Sequence, residues 1–437
     1  MVHQTMKTSK ASASKASSNN KVIRGRPRHR GRFSIIPACL ILTACLVSCS
    51  APRQAPPALP ASAMGLPSAP SSATPPQLPQ LPQLSQPPQP HAAPAASRGA
   101  GVSDCPSGIV RGGKSCWVPA QWSELPGWGQ DPLPQAWPAL LRSCQRPAAA
   151  FAPLCPQMRE LALASAQQQS QWLMDKLRPY RVLDLDGRSE GLLTGYFEPI
   201  LPARRLQGAD HPVPLYRAPA GLAERTPWFS RRDIETLPQA MQALRGREIA
   251  WLSDPIDALL LHIQGSGRLE LTEADGSSRQ VRVAFAGTNG HPYRSVNQWL
   301  LEQGVQRISP WPQATQAWAA QNPQRVSELL WSNPRYVFFR EEPIGDPAEG
   351  PRGALGVPLS AGRSIAVDPG SIAHGTPVWL VSPGPAVQLA RLVAAQDSGG
   401  AILGALRIDY FTGTGAQAGA LASRIRQPLQ AWVLWPR

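Results

Sequence analysis

Two aspartates, Asp397 and Asp409, stand twelve positions apart in the segment AAQDSGGAILGALRIDYFTGTG at 394–415, and a third, Asp368, lies upstream of them. Glycines and small residues separate the pair, and an aromatic and glycine-rich run follows Asp409. A carboxyl group in a partly desolvated groove can have its pKa raised enough to donate a proton to a glycosidic oxygen. The three aspartates are therefore candidates for acid catalysis on a sugar polymer.

Other side chains suited to sugar binding accompany these aspartates. Aromatic rings present an apolar face with a polar edge, and amides bond hydroxyl groups. The candidates are Tyr196, Glu198, Gln264, Asn289, Tyr293, Arg294 and Tyr410. Taken singly each has an ordinary structural explanation, because strand aromatics usually belong to a core and Asn289 before Gly290 is typical of a turn. Only their combination indicates a sugar site.

Signatures of several other catalytic classes do not fit. The sequence contains no HExxH segment, and neither CxxC spacing nor neighbouring histidines indicate a metal site. The run GTGAQAG at 413–419 resembles a dinucleotide fingerprint, but too little chain follows it to complete a nucleotide-binding unit. No metal and no cofactor are expected.

The positive charge of the chain is concentrated at its N-terminus. The formal net charge is +15, yet nine lysines and arginines lie within residues 1–32 and the first acidic residue is Asp104. A basic segment outside the folded part does not indicate nucleic-acid binding, which requires a basic face on the domain itself. We therefore expect no nucleic-acid partner.

Residues 1–49 have the pattern of an export signal. The apolar run from Phe33 to Ser48 is shorter than the roughly 20 residues of a membrane span, and it ends in small residues before Cys49. This order resembles a bacterial lipobox in which Cys49 is lipidated, with Cys45 as the alternative lipidated residue. The segment could alternatively be an uncleaved signal anchor. Because Ser50 is not the aspartate that favours inner-membrane retention, we expect a lipid anchor at the periplasmic face of the outer membrane.

Residues 50–103 are rich in Pro, Ala, Gln and Ser and include PPQLPQLPQLSQPPQP. Such composition favours extended polyproline II structure and cannot supply a core. The segment is predicted to be a tether, or alternatively a ligand for another protein. The sequence otherwise gives no indication of protein partners.

Four cysteines remain beyond the leader, namely Cys105, Cys116, Cys144 and Cys155. An even number in an oxidising compartment favours disulfides, and three connectivities are possible. The local pairs Cys105–Cys116 and Cys144–Cys155 are favoured because each closes a short loop.

From about Asp104 onwards the sequence predicts a mainly β fold with a few helices, mostly near the N-terminus of the folded part. Residues 158–177 have a helical composition, and 233–244 and 297–304 predict shorter helices. Elsewhere short apolar runs are interrupted by Gly, Pro, Asn and Asp, which favours barrels or sandwiches over an alternating βα fold. The chain is long enough for two β-rich domains.

Six ordered segments resemble the membrane-bound lytic transglycosylase A (MltA) family. They are LLTGYFEPIL (192–201), LHIQGSGRLEL (261–271), AGTNGHPYRSVNQWL (286–300), NPRYVFFRE (333–341), GALGVPLSAGRSIAVDP (353–369) and the 394–415 segment. The last two are similar to the family's 3D domain, here 353–437, which is named for three aspartates. The resemblance runs from about residue 140 to the C-terminus.

This resemblance implies a double-psi β-barrel, similar to barwin-like endoglucanases, interrupted by a second β-barrel domain. The barrel would comprise 104–197 plus 331–437, and the inserted glycan-binding domain 198–330. It also implies cleavage of the β-1,4 bond between N-acetylmuramic acid and N-acetylglucosamine in peptidoglycan, leaving a 1,6-anhydromuramoyl end. Asp409 would be the acid and then the base, with Asp397 and Asp368 supporting it, and Thr194, Gly265 and Ser266 would join the candidate glycan contacts.

Two other functions are compatible with these residues. Related barrels occur in proteins that bind polysaccharide without cleaving it, so a tethered peptidoglycan-binding lipoprotein is one alternative. A hydrolytic β-1,4-glycosidase is the other, and it would require a second carboxylate across the groove. Glu198 is the candidate for that carboxylate.

Overall fold

The computed structural model describes Cys105, residues 109–111, 114–306 and 312–437. The predicted leader, the lipidated Cys49 or Cys45 and the tether lie outside the described residues. Within the described part, no helix combines the length and the apolar character needed to cross a membrane.

The strands of the described part, in chain order, are β1 (Ile109–Arg111), β2 (Ser115–Pro119), β3 (Leu177–Leu183), β4 (Gly191–Glu198), β5 (Ile200–Arg204), β6 (Val213–Tyr216), β7 (Glu248–Leu252), β8 (Ser266–Thr272), β9 (Ser278–Thr288), β10 (Val337–Glu342), β11 (Ser364–Ala366), β12 (Pro377–Pro383), β13 (Gln388–Asp397), β14 (Arg407–Thr414) and β15 (Arg426–Pro436). The α-helices are α1 (Leu133–Ser143), α2 (Cys155–Glu160), α3 (Ala166–Lys176), α4 (Arg231–Thr236), α5 (Pro238–Leu244), α6 (Pro255–Gln264), α7 (Val296–Glu302), α8 (Gln313–Gln321), α9 (Val326–Trp331) and α10 (Ala416–Ala422). The mainly β prediction is confirmed, although helices occur throughout the described part and not only near its N-terminus.

Nine strands form the first sheet, here called the barrel sheet, in the order β1-β2-β3-β15-β12-β13-β11-β14-β4. Because β4 also pairs with β15, the six strands β15, β12, β13, β11, β14 and β4 form a ring. Apolar side chains that alternate along these strands, including Ile365, Val378, Ile408 and Val433, are fully buried together. Side chains at the intervening positions of β14 and β4 therefore face away from this core.

The second sheet, here called the insert sheet, has the order β10-β9-β8-β5-β7-β6. Only Pro199 separates the end of β4 from the start of β5, so the chain passes directly from one sheet to the other. The insert sheet ends with β10 at Glu342, beyond the predicted domain boundary at residue 330. Among the described residues its pairing runs from β10 to β6 without returning, unlike the ring of the barrel sheet.

Two of the predicted helices are each divided in two. The prediction of a single helix over 158–177 is wrong, because α2 ends at Glu160 and α3 begins after Ser165. The Ser165 side chain caps α3 by accepting a hydrogen bond from the Gln168 amide. Residues 233–244 fall in α4 and α5, separated at Leu237 because the following Pro238 disfavours helical geometry there. The helix expected at 297–304 is confirmed as α7.

Both cysteine pairs are bonded in the way that loop length favours. Cys105 is joined to Cys116 at the start of β2, and Cys144 at the end of α1 is joined to Cys155 at the start of α2. The first bond holds the N-terminal edge of the described part against β2. The second holds α2 against α1, whose Ala139 carbonyl accepts a hydrogen bond from Gln396 of β13.

Candidate active site

Strand register brings two of the predicted aspartates into one row. Ala366 of β11 pairs with Asp397 of β13 on one side and with Asp409 of β14 on the other. Asp409 in turn pairs with Thr194 of β4. Since neighbouring strands lie about 4.8 Å apart, the two aspartates are separated by about 10 Å at the backbone. We call these four residues the aspartate row.

The Asp409 carboxylate is held by its neighbours in this row. The Thr194 hydroxyl donates to Oδ1 of Asp409 at 2.7 Å. The same hydroxyl accepts a hydrogen bond from Arg407 at 2.8 Å, so the guanidinium acts on the carboxylate through Thr194. The neighbouring Ile408 and Tyr410 point into the barrel core, whereas Asp409 lies on the opposite, half-buried face.

Asp397 is engaged by three donors. The amides of Ala354 and Ser398 each donate to Oδ1 at 2.9 Å, and the Tyr196 hydroxyl donates to Oδ2 at 3.0 Å. The Tyr196 ring lies 5.3 Å from that of Phe411, which connects this hydroxyl back to the strand of Asp409. Asp397 is therefore a fixed acceptor in the row, with both oxygens occupied.

Burial raises the pKa of both aspartates in the row above the ordinary value. For Asp409, the effect of burial on the pKa is opposed by the Thr194 hydrogen bond and the Arg407 charge and reinforced by the Asp397 charge. For Asp397, the effect of burial on the pKa is opposed by the hydrogen bonds from Ala354, Ser398 and Tyr196. A carboxyl group with this balance can hold a proton at a higher pH than a solvent-exposed aspartate can.

Asp368 has a different environment from the other two aspartates. Its carboxylate pairs with Lys114 at 2.9 Å and accepts from the amides of Gly370 at 2.9 Å and Gly404 at 2.8 Å. The charges that shift the pKa of Asp409 are those of Arg407 and Asp397. Asp368 instead fixes Gly404 in the loop 398–406, which joins Asp397 to Arg407.

We expect Asp368→Asn to lower the free energy of unfolding by about 2 kcal/mol at neutral pH, because two partly buried amide donors lose a charged acceptor. Burial raises the pKa of Asp368, but the bonds from Gly404, Lys114 and Gly370 outweigh burial and leave the pKa below its ordinary value. A lowered pKa stabilises the fold above the unfolded-state pKa of about 3.9 and loses this effect as the pH falls through the folded-state value. Urea unfolding of both proteins across acidic pH measures the difference.

The matched control is Lys114→Met, since Lys114 is half-exposed and its loss leaves both backbone bonds to Asp368 in place. Its effect should stay within about 1 kcal/mol. Equal stability of Asp368→Asn and wild type at neutral pH would contradict the anchoring role.

Glu198 does not line an open surface, which corrects its assignment as a glycan contact. It is fully buried and pairs with Arg268 at 2.8 Å and with Arg282 at 2.5 Å. The Thr414 hydroxyl donates to the same carboxylate at 2.9 Å. These four residues, here called the Glu198 cluster, connect β4 and β14 of the barrel sheet with β8 and β9 of the insert sheet.

Three residues that were predicted to contact the glycan, Gln264, Gly265 and Ser266, lie at the bend between α6 and β8. Gln264 accepts a hydrogen bond from the Phe197 amide at 3.0 Å, Gly265 ends α6 with a φ of 80°, and Ser266 is buried at the start of β8. The positive φ requires a residue such as glycine there. This bend positions β4 beside the insert sheet.

The predicted contacts in the 286–300 segment separate into buried and exposed residues. Asn289 is fully buried, and its amide donates to the carbonyls of Phe229 and Pro334, so its role is structural and its assignment as a glycan contact is corrected. Tyr293 is half-buried and Arg294 is exposed. Tyr410 is buried, and its hydroxyl donates to the Gly362 carbonyl inside the barrel.

Two short segments match the sequence patterns of catalytic motifs but not their structures. GIVRGGKS at 108–115 matches the phosphate-binding pattern GxxxxGK[ST], and GRSEG at 187–191 matches the nucleophile pattern GxSxG. Both patterns require a turn from a strand into a helix. Here the first joins antiparallel β1 and β2, with Lys114 paired to Asp368, and the second joins β3 and β4, with Ser189 accepting from Arg181. Neither has its motif's structural context.

Sequence reasoning did not single out Arg407 and Lys114 as parts of this site. Arg407 lies two residues before Asp409 on the same face of β14, a period-two spacing that could have indicated it. Lys114 approaches Asp368 from the N-terminal hairpin across more than half the described chain. No local pattern encodes that contact.

Comparison with known proteins identifies the family to which this chain belongs. Residues 192–340 match the family model described as the MltA specific insert domain, and residues 363–435 match the 3D domain. The lytic transglycosylase LtgG of Burkholderia pseudomallei is 41% identical, with 74% of this chain and 95% of that chain covered and a TM-score of 0.51. The chain belongs to the MltA family.

Two further relatives support this membership. A membrane-bound lytic murein transglycosylase from Agrobacterium tumefaciens is 30% identical, with 73% of this chain and 97% of that chain covered and a TM-score of 0.61. Membrane-bound lytic murein transglycosylase A of Escherichia coli K12 is 32% identical over 252 residues, and the match covers 55% of this chain and 64% of that relative. The chain thus spans less than two thirds of this relative's length.

Proposed function

We propose that this protein is a lytic transglycosylase that cleaves the β-1,4 bond between N-acetylmuramic acid and N-acetylglucosamine in peptidoglycan and leaves 1,6-anhydromuramic acid ends. The observation that carries the proposal is the aspartate row. Burial raises the pKa of both carboxyl groups in the row, but donors engage both oxygens of Asp397, which makes Asp409 the candidate acid. The names of its relatives, which are lytic transglycosylases, support the same reaction.

A single acid suffices for this reaction because the substrate supplies the nucleophile. Protonated Asp409 gives its proton to the glycosidic oxygen as the bond to the anomeric carbon breaks. The 6-hydroxyl of the same muramic acid then attacks that carbon, and the Asp409 carboxylate takes the hydroxyl proton. Intramolecular attack also gains from proximity. A hydrolase would instead need a second carboxylate or an activated water.

The other residues of the site hold Asp409 rather than react. Thr194 fixes the orientation of the carboxylate, and Arg407, acting through Thr194, steadies the charge that appears after proton donation. Asp397 keeps the neighbouring loop in place and raises the pKa of Asp409 by its charge. Asp368 holds the loop 398–406 at Gly404. Tyr293 and Arg294 remain our proposed contacts to the glycan.

The proposal also includes the type of barrel, the domain boundary and the location of the protein in the cell. The ring of six strands supports a double-psi barrel, built from 104–197 and the chain after the insert. Because β10 of the insert sheet ends at Glu342, we move the end of the inserted domain from 330 to 342. A lipid anchor at Cys49, with Cys45 as the alternative, would hold the protein at the periplasmic face of the outer membrane. Peptidoglycan strands are the proposed partner.

Mass spectrometry of soluble products tests the reaction. The purified full-length protein, kept in detergent, is incubated with peptidoglycan, and anhydro-ended muropeptides are expected. Reducing ends would show a hydrolase and overturn the single-acid mechanism. Glycan that is bound but uncut would show a binding protein.

The rate of cleavage is expected to fall as the pH rises through the raised pKa of Asp409, because only the protonated carboxyl can donate. In Thr194→Val the carboxylate loses a hydrogen bond that favours its ionised form, so the falling limb should move to higher pH. The measurement is kcat/KM against pH. Thr194→Ser keeps the hydroxyl and should match wild type; a limb in Thr194→Val that is unmoved or lies at lower pH would contradict this role of Thr194.

A further inference from the structure

Arg335 is an arginine on the insert side whose backbone is fixed from two directions. It precedes β10 by two positions. Its amide donates to Oδ1 of Asn333 at 3.2 Å, and its carbonyl accepts from the buried Arg231 at 3.1 Å. Asn333 is itself buried and also receives the amide of Arg294 at 3.2 Å. The base of the Arg335 side chain is therefore held rigidly.

The guanidinium of Arg335 reaches the loop of the barrel side that carries the aspartates. Its Nη1 and Cζ lie 3.1 and 3.2 Å from the position that a Cβ atom would occupy at Gly400. Gly400 is exposed and follows Asp397 by three residues in the loop 398–406. The charge of Arg335 thus lies at the junction between the insert and the loop that joins the two acids of the row.

This guanidinium has no acidic partner among the described residues. None of the hydrogen bonds or ion pairs there involves its side-chain nitrogens, although the side chain is half-buried and burial alone lowers its pKa. The more deeply buried arginines of the described part are paired, as Arg268 and Arg282 are with Glu198 and Arg363 is with Asp131. A partly desolvated charge without a counterion is costly, and such groups concentrate where ligands supply the missing charge.

We propose that Arg335 binds a carboxylate of the glycan substrate, a specificity contact that rests on the function proposed above. A guanidinium matches a carboxylate with two parallel hydrogen bonds, whereas neutral sugars offer only hydroxyl and amide groups. Peptidoglycan carries such carboxylates in two places. One is the lactyl group of muramic acid where no peptide is attached, and the other is the peptide stem.

Binding measurements in the full-length Asp409→Asn background, in detergent, separate the two sources. Four soluble ligands are compared: strands with stems, stem-free strands with free lactyl carboxylates, stem-free strands neutralised by carbodiimide amidation, and uncharged chitohexaose. Arg335→Gln is expected to raise Kd about tenfold for the acidic strands that Arg335 engages, as loss of a charge-assisted pair does. Arg335→Lys should recover part of the affinity, and neutralised strands and chitohexaose should bind all variants equally.

A loss confined to stem-bearing strands assigns the contact to the stem, and a loss on stem-free strands assigns it to the lactyl carboxylate. Arg245→Gln is the matched control, since Arg245 is an exposed arginine at the end of α5 and should leave every Kd unchanged. Unchanged affinity of Arg335→Gln for both acidic ligands would overturn the proposal, as would an equal loss on chitohexaose. If the enzyme with Asp409 intact makes anhydro ends in either case, only the Arg335 contact fails, and not the proposed function.

Discussion

Asp409→Asn is expected to lower the rate of peptidoglycan cleavage about a thousandfold, within the range that a positioned general acid contributes. Asparagine keeps the shape of the side chain and can still accept from Thr194, but it has no proton to give to the glycosidic oxygen. The measurement is the rate of release of anhydro-ended muropeptides under conditions in which both proteins are folded. Affinity for glycan strands should change little, because the loss falls on the chemical step.

The comparison variant is Asp397→Asn, which lies in the same row on the other side of Ala366. It should retain a larger share of the activity, since Asp397 holds the loop and does not transfer a proton in our mechanism. An inactive Asp397→Asn beside an active Asp409→Asn would reverse the two assignments.

Asp409→Asn should also change stability in a direction opposite to its effect on activity. The carboxylate of Asp409 is disfavoured by burial, so its pKa is raised and the wild-type fold loses stability as the pH rises through that pKa. Asparagine does not titrate, and the variant is therefore expected to be more stable than wild type at neutral pH. The difference should disappear below the unfolded-state pKa of about 3.9.

Glu198→Gln is expected to lower the free energy of unfolding by about 3–5 kcal/mol, the range for removing one partner of a buried ion pair. Arg268 and Arg282, both buried, would be left without a counterion at the junction of the two sheets. Each also donates to the Glu349 carbonyl, a bond that cannot neutralise its charge. Urea unfolding followed by circular dichroism measures the loss.

A surface pair gives the control for this result. Glu328→Gln removes an ion pair with Arg325 in which both side chains are exposed, so its effect should remain below about 1 kcal/mol. Where Glu198→Gln is folded, its product should still carry anhydro ends. A variant that is as stable as wild type but unable to cleave would instead assign chemistry to Glu198, and the hydrolase alternative would then gain its second carboxylate.

The sequence was sufficient to identify Asp397 and Asp409 as candidates, the mainly β composition, the local cysteine pairs and helix α7. These features depend on residue type, on short spacing or on local loop length, all of which can be read along the chain. The ordered motifs predicted the MltA family, which the matches to the insert and 3D domains confirm.

The tertiary structure decided which polar residues belong to one site. Strand pairing placed Thr194 beside Asp409 and buried Glu198 between two arginines, although Thr194 and Glu198 lie in the same strand and are both polar. It also brought Lys114 to Asp368 and Arg335 to Gly400. A carboxylate's role depends on the charges and the solvent around it, and residues far away along the chain supply both.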